Sequence, residues 1–177
     1  MKELSLNILD IAMNSVKAKA KNIRILLLEE GNKLTLSIED DGCGMNEEQV
    51  KSVMDPFFTT RTTRSVGMGI PLLKLAAEQT GGNIEITSSD KEENHGTKTT
   101  ATFFTDNIDF TPLGDVISTV VTLIQGSPDT HWHYSHTGNG KEIDLDTAQL
   151  KAVLGDVPLD NPEVLCWIKE SLEEEYA

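Results

Sequence analysis

The chain has no run of 18 apolar residues and no basic-then-apolar leader at its start. That argues against a membrane span and against secretion, and leads to the expectation of a cytoplasmic protein. Its two cysteines, Cys43 and Cys166, are too few for a disulfide framework. Neither an internal repeat nor a low-complexity stretch is present. Positive charge is scarce in the last third: residues 106–177 hold 3 Lys and Arg against 14 Asp and Glu, net −11. Residues 1–105 hold 12 against 15, net −3. An acidic surface of that kind repels nucleic acid and either suits a basic partner surface or is simply solvated. With 177 residues the chain can bury one good core and a small appendage.

What the chain does have is concentrated at Asp40-Asp41-Gly42-Cys43-Gly44-Met45. The segment just before it, Leu34-Thr35-Leu36-Ser37-Ile38, alternates apolar and polar residues with the period of a strand. A strand that ends in an acid and two spaced glycines can bring backbone close to a ligand, because glycine carries no Cβ. An ionised carboxylate there accepts hydrogen bonds, as from the exocyclic amine of adenine. The plainer reading is a strand followed by an Asp-Gly turn. Cys43 then serves as a small residue in that turn.

Upstream, Leu4–Ala20 reads as a helix with an apolar stripe of Leu6, Leu9, Ile11, Met13 and Val16. Asp10 and Asn14 stand one turn apart on it, on one face. A carboxylate and an amide so placed suit a hydrated Mg²⁺, which takes oxygen ligands and keeps several waters. Strands are expected at Asn22–Glu29 and Lys33–Glu39, joined by a turn at Glu30-Gly31-Asn32. A helix capped by Asn46 runs to Met54, and another, with Pro71 in its first turn, ends before Gly81-Gly82. Strands Asn83–Ser88 and Thr97–Thr105 follow.

Downstream of the acid-glycine turn come Asp55-Pro56-Phe57-Phe58-Thr59-Thr60-Arg61, then Gly67-Met68-Gly69-Ile70, then Gly96-Thr97. Five pieces in this order resemble the gyrase, chaperone, histidine-kinase and mismatch-repair ATPase superfamily, over roughly residues 3–105. The resemblance implies a Bergerat fold: an α/β two-layer sandwich whose mixed sheet is covered on one face by helices, here with a small α/β module at residues 106–177. It implies ATP and Mg²⁺ as cofactors. On this likeness Asn14 holds Mg²⁺ against the triphosphate and Asp40 accepts from the adenine amino group. Gly42, Gly44 and Met45 form the adenine wall, and Thr97 reaches the base through water. Phe58, Thr59, Thr60 and Arg61 begin a lid over the phosphates, while Gly67, Met68, Gly69 and Ile70 bring backbone N–H groups to them. Arg61 and Arg64 are cations suited to phosphate oxygens, and nucleotide is expected to order the loop 55–69.

Two departures stand out. Four residues before the asparagine the superfamily usually has Glu, the base that positions attacking water, and here it is Asp10. One methylene less shifts the carboxylate, so hydrolysis is expected to be slow. Three residues after the asparagine an acid is common, and here it is Lys17.

Beyond Asp106 the sequence predicts a helix at Pro112–Gln125 and a hairpin of His131–Ser135 with Lys141–Leu145 about Gly138-Asn139-Gly140. Two more helices are expected at Asp146–Leu154 and Pro162–Glu174. His131 and His133 share a strand face and His136 points to the other, so a polar strand surface is expected over a metal site. The whole chain resembles stand-alone ATP-binding proteins of anaerobic bacteria. Three functions follow: a protein kinase acting on a separate partner, a nucleotide-gated binding protein of the anti-sigma type, or a slow mechanical ATPase. The short lid weighs against the last. No histidine-bearing helix precedes the nucleotide segment, so any phosphoacceptor is expected on the partner protein.

Overall fold

The computed structural model describes residues 3–54 and 69–177. In chain order its elements are α1 (Leu4–Lys17), β1 (Asn22–Glu30), β2 (Lys33–Asp40), α2 (Glu47–Val53), α3 (Gly69–Gln79), β3 (Asn83–Ser89), β4 (Gly96–Phe104), α4 (Val116–Gly126), β5 (His131–Gly138), β6 (Lys141–Asp146), α5 (Thr147–Leu154) and α6 (Pro162–Tyr176). All six strands form one mixed sheet in the order β3-β4-β2-β1-β5-β6. Among the described residues only the β1–β5 pairing is parallel. The fold is therefore the expected α/β arrangement, and residues 106–177 extend the same sheet with two more strands.

Alternation decides which face is covered. Ile23, Ile25 and Leu27 of β1 lie beside Leu36 and Ile38 of β2, and across from them stand Trp132, Tyr134 and His136 of β5. These side chains are nearly all buried, at 3% exposure or less. Helices α3, α1, α4 and α6 lie side by side over them, each packed on its neighbour or on the strands beneath. The opposite face carries Arg24, Glu39, Lys98, His131 and His133 and is exposed or half-buried. No helix among the described residues is long and apolar enough to cross a membrane.

Three local readings shift. First, α1 ends at Lys17, before Lys19 at φ +63°. It also packs through Leu4, Ile8, Ile11 and Ala12, leaving Leu6 at 42% exposure. An apolar stripe wider than the contact cannot say which side faces the sheet. Second, the helix expected from Pro112 begins at Val116, because residues 112–115 serve α1. The Pro112 and Leu113 carbonyls accept from the Leu4 and Ser5 N–H groups at 2.8 and 2.9 Å. They satisfy donors that open every helix, and no side chain caps them. Asp115 then caps α4 by accepting from Ser118 N at 3.0 Å. Third, β5 runs on to Gly138 where a strand ending at Ser135 is expected, while His136 faces away from His131 and His133 as alternation predicts, into the buried side.

His136 anchors the C-terminal helix to the sheet. Burial pushes its pKa down, against the opposing pull of Glu29, so the ring is neutral near pH 7. Glu29 can only accept, so His136 Nε2–H donates to Glu29 Oε2 at 2.7 Å and Nδ1 accepts from the Tyr176 hydroxyl at 2.8 Å. Tyr176 in turn is hydrogen-bonded to the buried Tyr134 hydroxyl.

A histidine held neutral while its unfolded counterpart protonates makes the unfolded chain bind more protons below the ordinary value of 6.5. Stability should therefore decline as pH falls through 6.5. A further decline should follow in the carboxylate range, because Glu29, Asp41 and Asp146 sit below their ordinary values and lose that contribution as they protonate. Urea unfolding across pH 8 to 5 should show the first decline, and His136→Gln should remove it. A wild-type profile that is flat across this range would contradict the neutral-histidine assignment.

Candidate functional site

At one end of the covered face the sheet is polar. The β2–β4 register sets Asp40 opposite Thr97, and the β3–β4 register sets Ser88 opposite Thr97. All three sit in line with the buried positions of their strands, and Asp40 lies beneath the last turns of α1. Asp40 accepts from Ser15 Oγ of α1 at 2.6 Å and from the Gly42 amide at 2.9 Å. The carboxylate is thus fixed in orientation. Ser88 Oγ accepts from the Met45 amide at 2.8 Å and is hydrogen-bonded to Thr97 Oγ1 at 2.7 Å. One hydroxyl therefore joins the acid-glycine turn to the strands beside it.

The neighbouring Asp41 has a different task. It accepts from the Lys21 and Asn22 amides at 2.7 and 2.9 Å and from Asn22 Nδ2 at 2.7 Å. Burial works to raise its pKa, and these hydrogen bonds outweigh it and hold the carboxyl below its ordinary value. Asp41 ties the α1–β1 connection to the end of β2, while Asp40 faces the helices.

Backbones meet closely here. Gly44 lies at φ +72°, and a Cβ there would stand 1.7 Å from the Ser89 carbonyl oxygen. A Cβ on Gly42 would stand 2.8 Å from Ala18 Cβ, and one on Gly96 2.3 Å from the Asp40 carbonyl oxygen. His95, from the β3–β4 loop, donates from Nδ1 to the Gly42 carbonyl at 2.6 Å. The turn is thereby clasped from both sides.

Asp10 and Asn14 lie on α1, both half-buried. Burial raises the Asp10 carboxyl above its ordinary value, with Lys17 pulling the other way. The start of α3 abuts it, since a Cβ on Gly69 would lie 3.1 Å from Asp10 Cβ. Ile70 is a core side chain at 5% exposure, leaving only its backbone for a ligand. The structure thus gathers Asp40, Gly42, Gly44, Met45 and Thr97 about one turn, and sets Gly69 against Asp10. Phe58, Thr59, Thr60, Arg61, Gly67 and Met68 lie outside the described residues. Ser15, Ser88 and His95 also build the site. None of the three is marked by a motif in the sequence, since each acquires its role only through contacts with distant segments.

These contacts separate two costs of a side chain at a glycine. Gly31 also has positive φ, at +63°, but a Cβ there would meet nothing within 4 Å. Gly31→Ala should cost about 1 kcal/mol, the ordinary penalty of left-handed backbone. Gly44→Ala should cost at least about 2 kcal/mol, because the Ser89 backbone must also move. Denaturant unfolding of both variants measures the difference, and equal costs would contradict the close approach.

Residues 1–107 match the family described as histidine kinase-, DNA gyrase B-, and HSP90-like ATPase. The signal transduction histidine-protein kinase AtoS of Escherichia coli is 35% identical over 89 residues, covering 50% of this chain and 14% of that protein. The C4-dicarboxylate transport sensor protein DctB of Pseudomonas aeruginosa is 28% identical over 83 residues, covering 45% of this chain and 14% of that protein. The chain thus spans about a seventh of the length of these relatives. Among solved structures, the Aquifex aeolicus MutL ATPase domain complexed with ADP superposes with a TM-score of 0.56 at 12% identity, covering 87% of this chain and 69% of that one. At that identity the likeness is one of fold. With its fold and more than half its length matched, the chain belongs to the histidine kinase-, DNA gyrase B- and HSP90-like ATPase family.

Proposed function

We propose that the chain binds ATP with Mg²⁺ at the Asp40 end of the sheet and acts as a protein kinase or signalling ATPase on a separate protein. The observation that carries the reading is the Asp40 carboxylate, held by Ser15 and the Gly42 amide on the helix-covered face. A carboxylate is acceptor-only, so it pairs with the amino group of adenine and not with the carbonyl that guanine has in its place. The donor set fits such a ligand: Gly42, Gly44 and Gly96 keep side chains out of the turn, and Thr97 and Ser88 add hydroxyls beside the acid.

Asn14 would offer its amide oxygen to the hydrated Mg²⁺, whose role is to offset triphosphate charge. Asp10 would orient and deprotonate an attacking group, and its raised pKa makes it a stronger base than an ordinary aspartate. The acidic 106–177 segment suits a partner with a basic surface. A second reading, a nucleotide-gated binding protein with little turnover, is favoured by the short reach of Asp10.

Calorimetry with Mg²⁺ tests the core of this. ATP should bind at least about tenfold more tightly than GTP, and Asp40→Asn should weaken ATP by about 10- to 100-fold, the worth of one hydrogen bond to a charged group. Asn14→Ala should remove the Mg²⁺ dependence. Equal affinity for ATP and GTP would overturn the adenine assignment. Label from γ-labelled ATP on a lysate protein, tested for acid and base stability, separates kinase from binding protein, with no labelled band favouring the latter.

A further inference from the structure

A cavity of about 400 Å³ lies at the other end of the same covered face, between the sheet, the 105–117 segment and the end of α6. Packed interiors hold few voids larger than a water molecule, and this volume falls in the range of small-molecule sites. One half is apolar, walled by Phe110, Leu113, Val116 and Ile117. The other half is polar, and Glu29, His136, Lys141 and Tyr176 converge there.

The hydrogen bonding of that polar half is nearly closed, and what stays open defines a ligand. His136, at 2% exposure, spends Nε2 on Glu29 and Nδ1 on Tyr176. The Tyr176 hydroxyl is shared between His136 and Tyr134. Asp115, also on the wall, spends both carboxylate oxygens on Ser118. Glu29 uses Oε2 for both His136, at 2.7 Å, and Lys141, at 3.3 Å. Its Oε1 accepts no hydrogen bond among the described residues. Burial works to raise the Glu29 carboxyl, but the hydrogen bonds from His136 and Lys141 and the charge of Lys141 outweigh it and keep the group ionised. With His136 neutral, two carboxylates face a single ammonium, and the surrounding 106–177 segment is strongly negative. An anion would have to sit beside Glu29 with only Lys141, already paired, to receive it.

We infer that this cavity is a binding site for a small primary amine with an apolar body, its ammonium on Glu29 Oε1 and its hydrocarbon against Phe110, Leu113 and Ile117. The wall is fixed in place from behind, because the Pro112 and Leu113 carbonyls are bonded to the first turn of α1. The site lies apart from Asp40 and does not depend on the nucleotide reading.

The test titrates phenethylamine into the ¹⁵N-labelled full chain at pH 7 without nucleotide, beside 3-phenylpropionate and 2-phenylethanol. Phenethylamine should give saturable amide shifts at residues 113–117 and 136–141, with at least about tenfold higher affinity than either analogue. Glu29→Gln should lower amine affinity about tenfold and leave the alcohol unchanged. Ile117→Trp, which fills the apolar half, should abolish binding of all three. If Glu29→Gln fails to fold, the three-ligand comparison and Ile117→Trp still decide. No saturation at millimolar amine, shifts elsewhere, or a carboxylate that binds as tightly as the amine would overturn the site. None of these outcomes bears on ATP, which calorimetry tests separately.

Discussion

The register in which β2 pairs with β4 is the constraint on which the rest of the site depends. It sets Ile38 opposite Thr99 and Asp40 opposite Thr97, so an apolar strand face ends in a carboxylate beneath α1. Side chains alternate with period two, and a slip of one residue would exchange the faces. Asp41 would then enter the site and Asp40 would leave it. The slip is prevented twice over. Leu34, Leu36 and Ile38 would lose their burial, and the three hydrogen bonds that Asp41 accepts from Lys21 and Asn22 would break. Two adjacent acids with distinct environments thus serve one purpose, in that Asp41 locks the strand end so that Asp40 is presented.

Helix α1 connects the two polar ends of the covered face. Its first turn donates hydrogen bonds to the Pro112 and Leu113 carbonyls, beside the amine cavity, and its later turns carry Asp10, Asn14 and Ser15. The apolar centre between them, formed by Ile25, Leu27, Leu36, Ile38 and Ala101, is closed at 2% exposure or less. A packed core of this kind transmits displacement poorly by deformation and well by rigid shift. Strand β2 spans the same distance, from Leu34 in the cavity wall to Asp40, so helix and strand both reach the two ends.

The nucleotide half of the fold is legible in the sequence because each of its parts is local. Period-two alternation marks β1 and β2, Asn46 with Gln49 gives a capping box that fixes α2, and the acid-glycine turn follows its strand directly. The remainder depends on contacts between distant segments. Nothing local in His131–Gly138 says that it pairs in parallel with β1, more than a hundred residues earlier. Hence the burial of His136 and its partnership with Glu29 and Tyr176 stay hidden. The late start of α4 has the same origin, since residues 112–115 are drawn off to cap α1. Ser88 and His95 carry no motif, and their roles emerge only when β3 and β4 are paired. The broad apolar stripe of α1 left its buried side open, and the structure chose Leu4, Ile8 and Ile11.

The most direct test of the central claim is the location of the base. Amide chemical-shift mapping with ADP and Mg²⁺ on the full chain reads it residue by residue. The largest changes should fall at residues 10–18, 40–46 and 88–97, with the Gly42 and Met45 amides foremost. Changes concentrated instead at Glu29, His136 and Tyr176, or on the open face at Arg24 and His133, would contradict the assignment of Asp40 as the adenine acceptor.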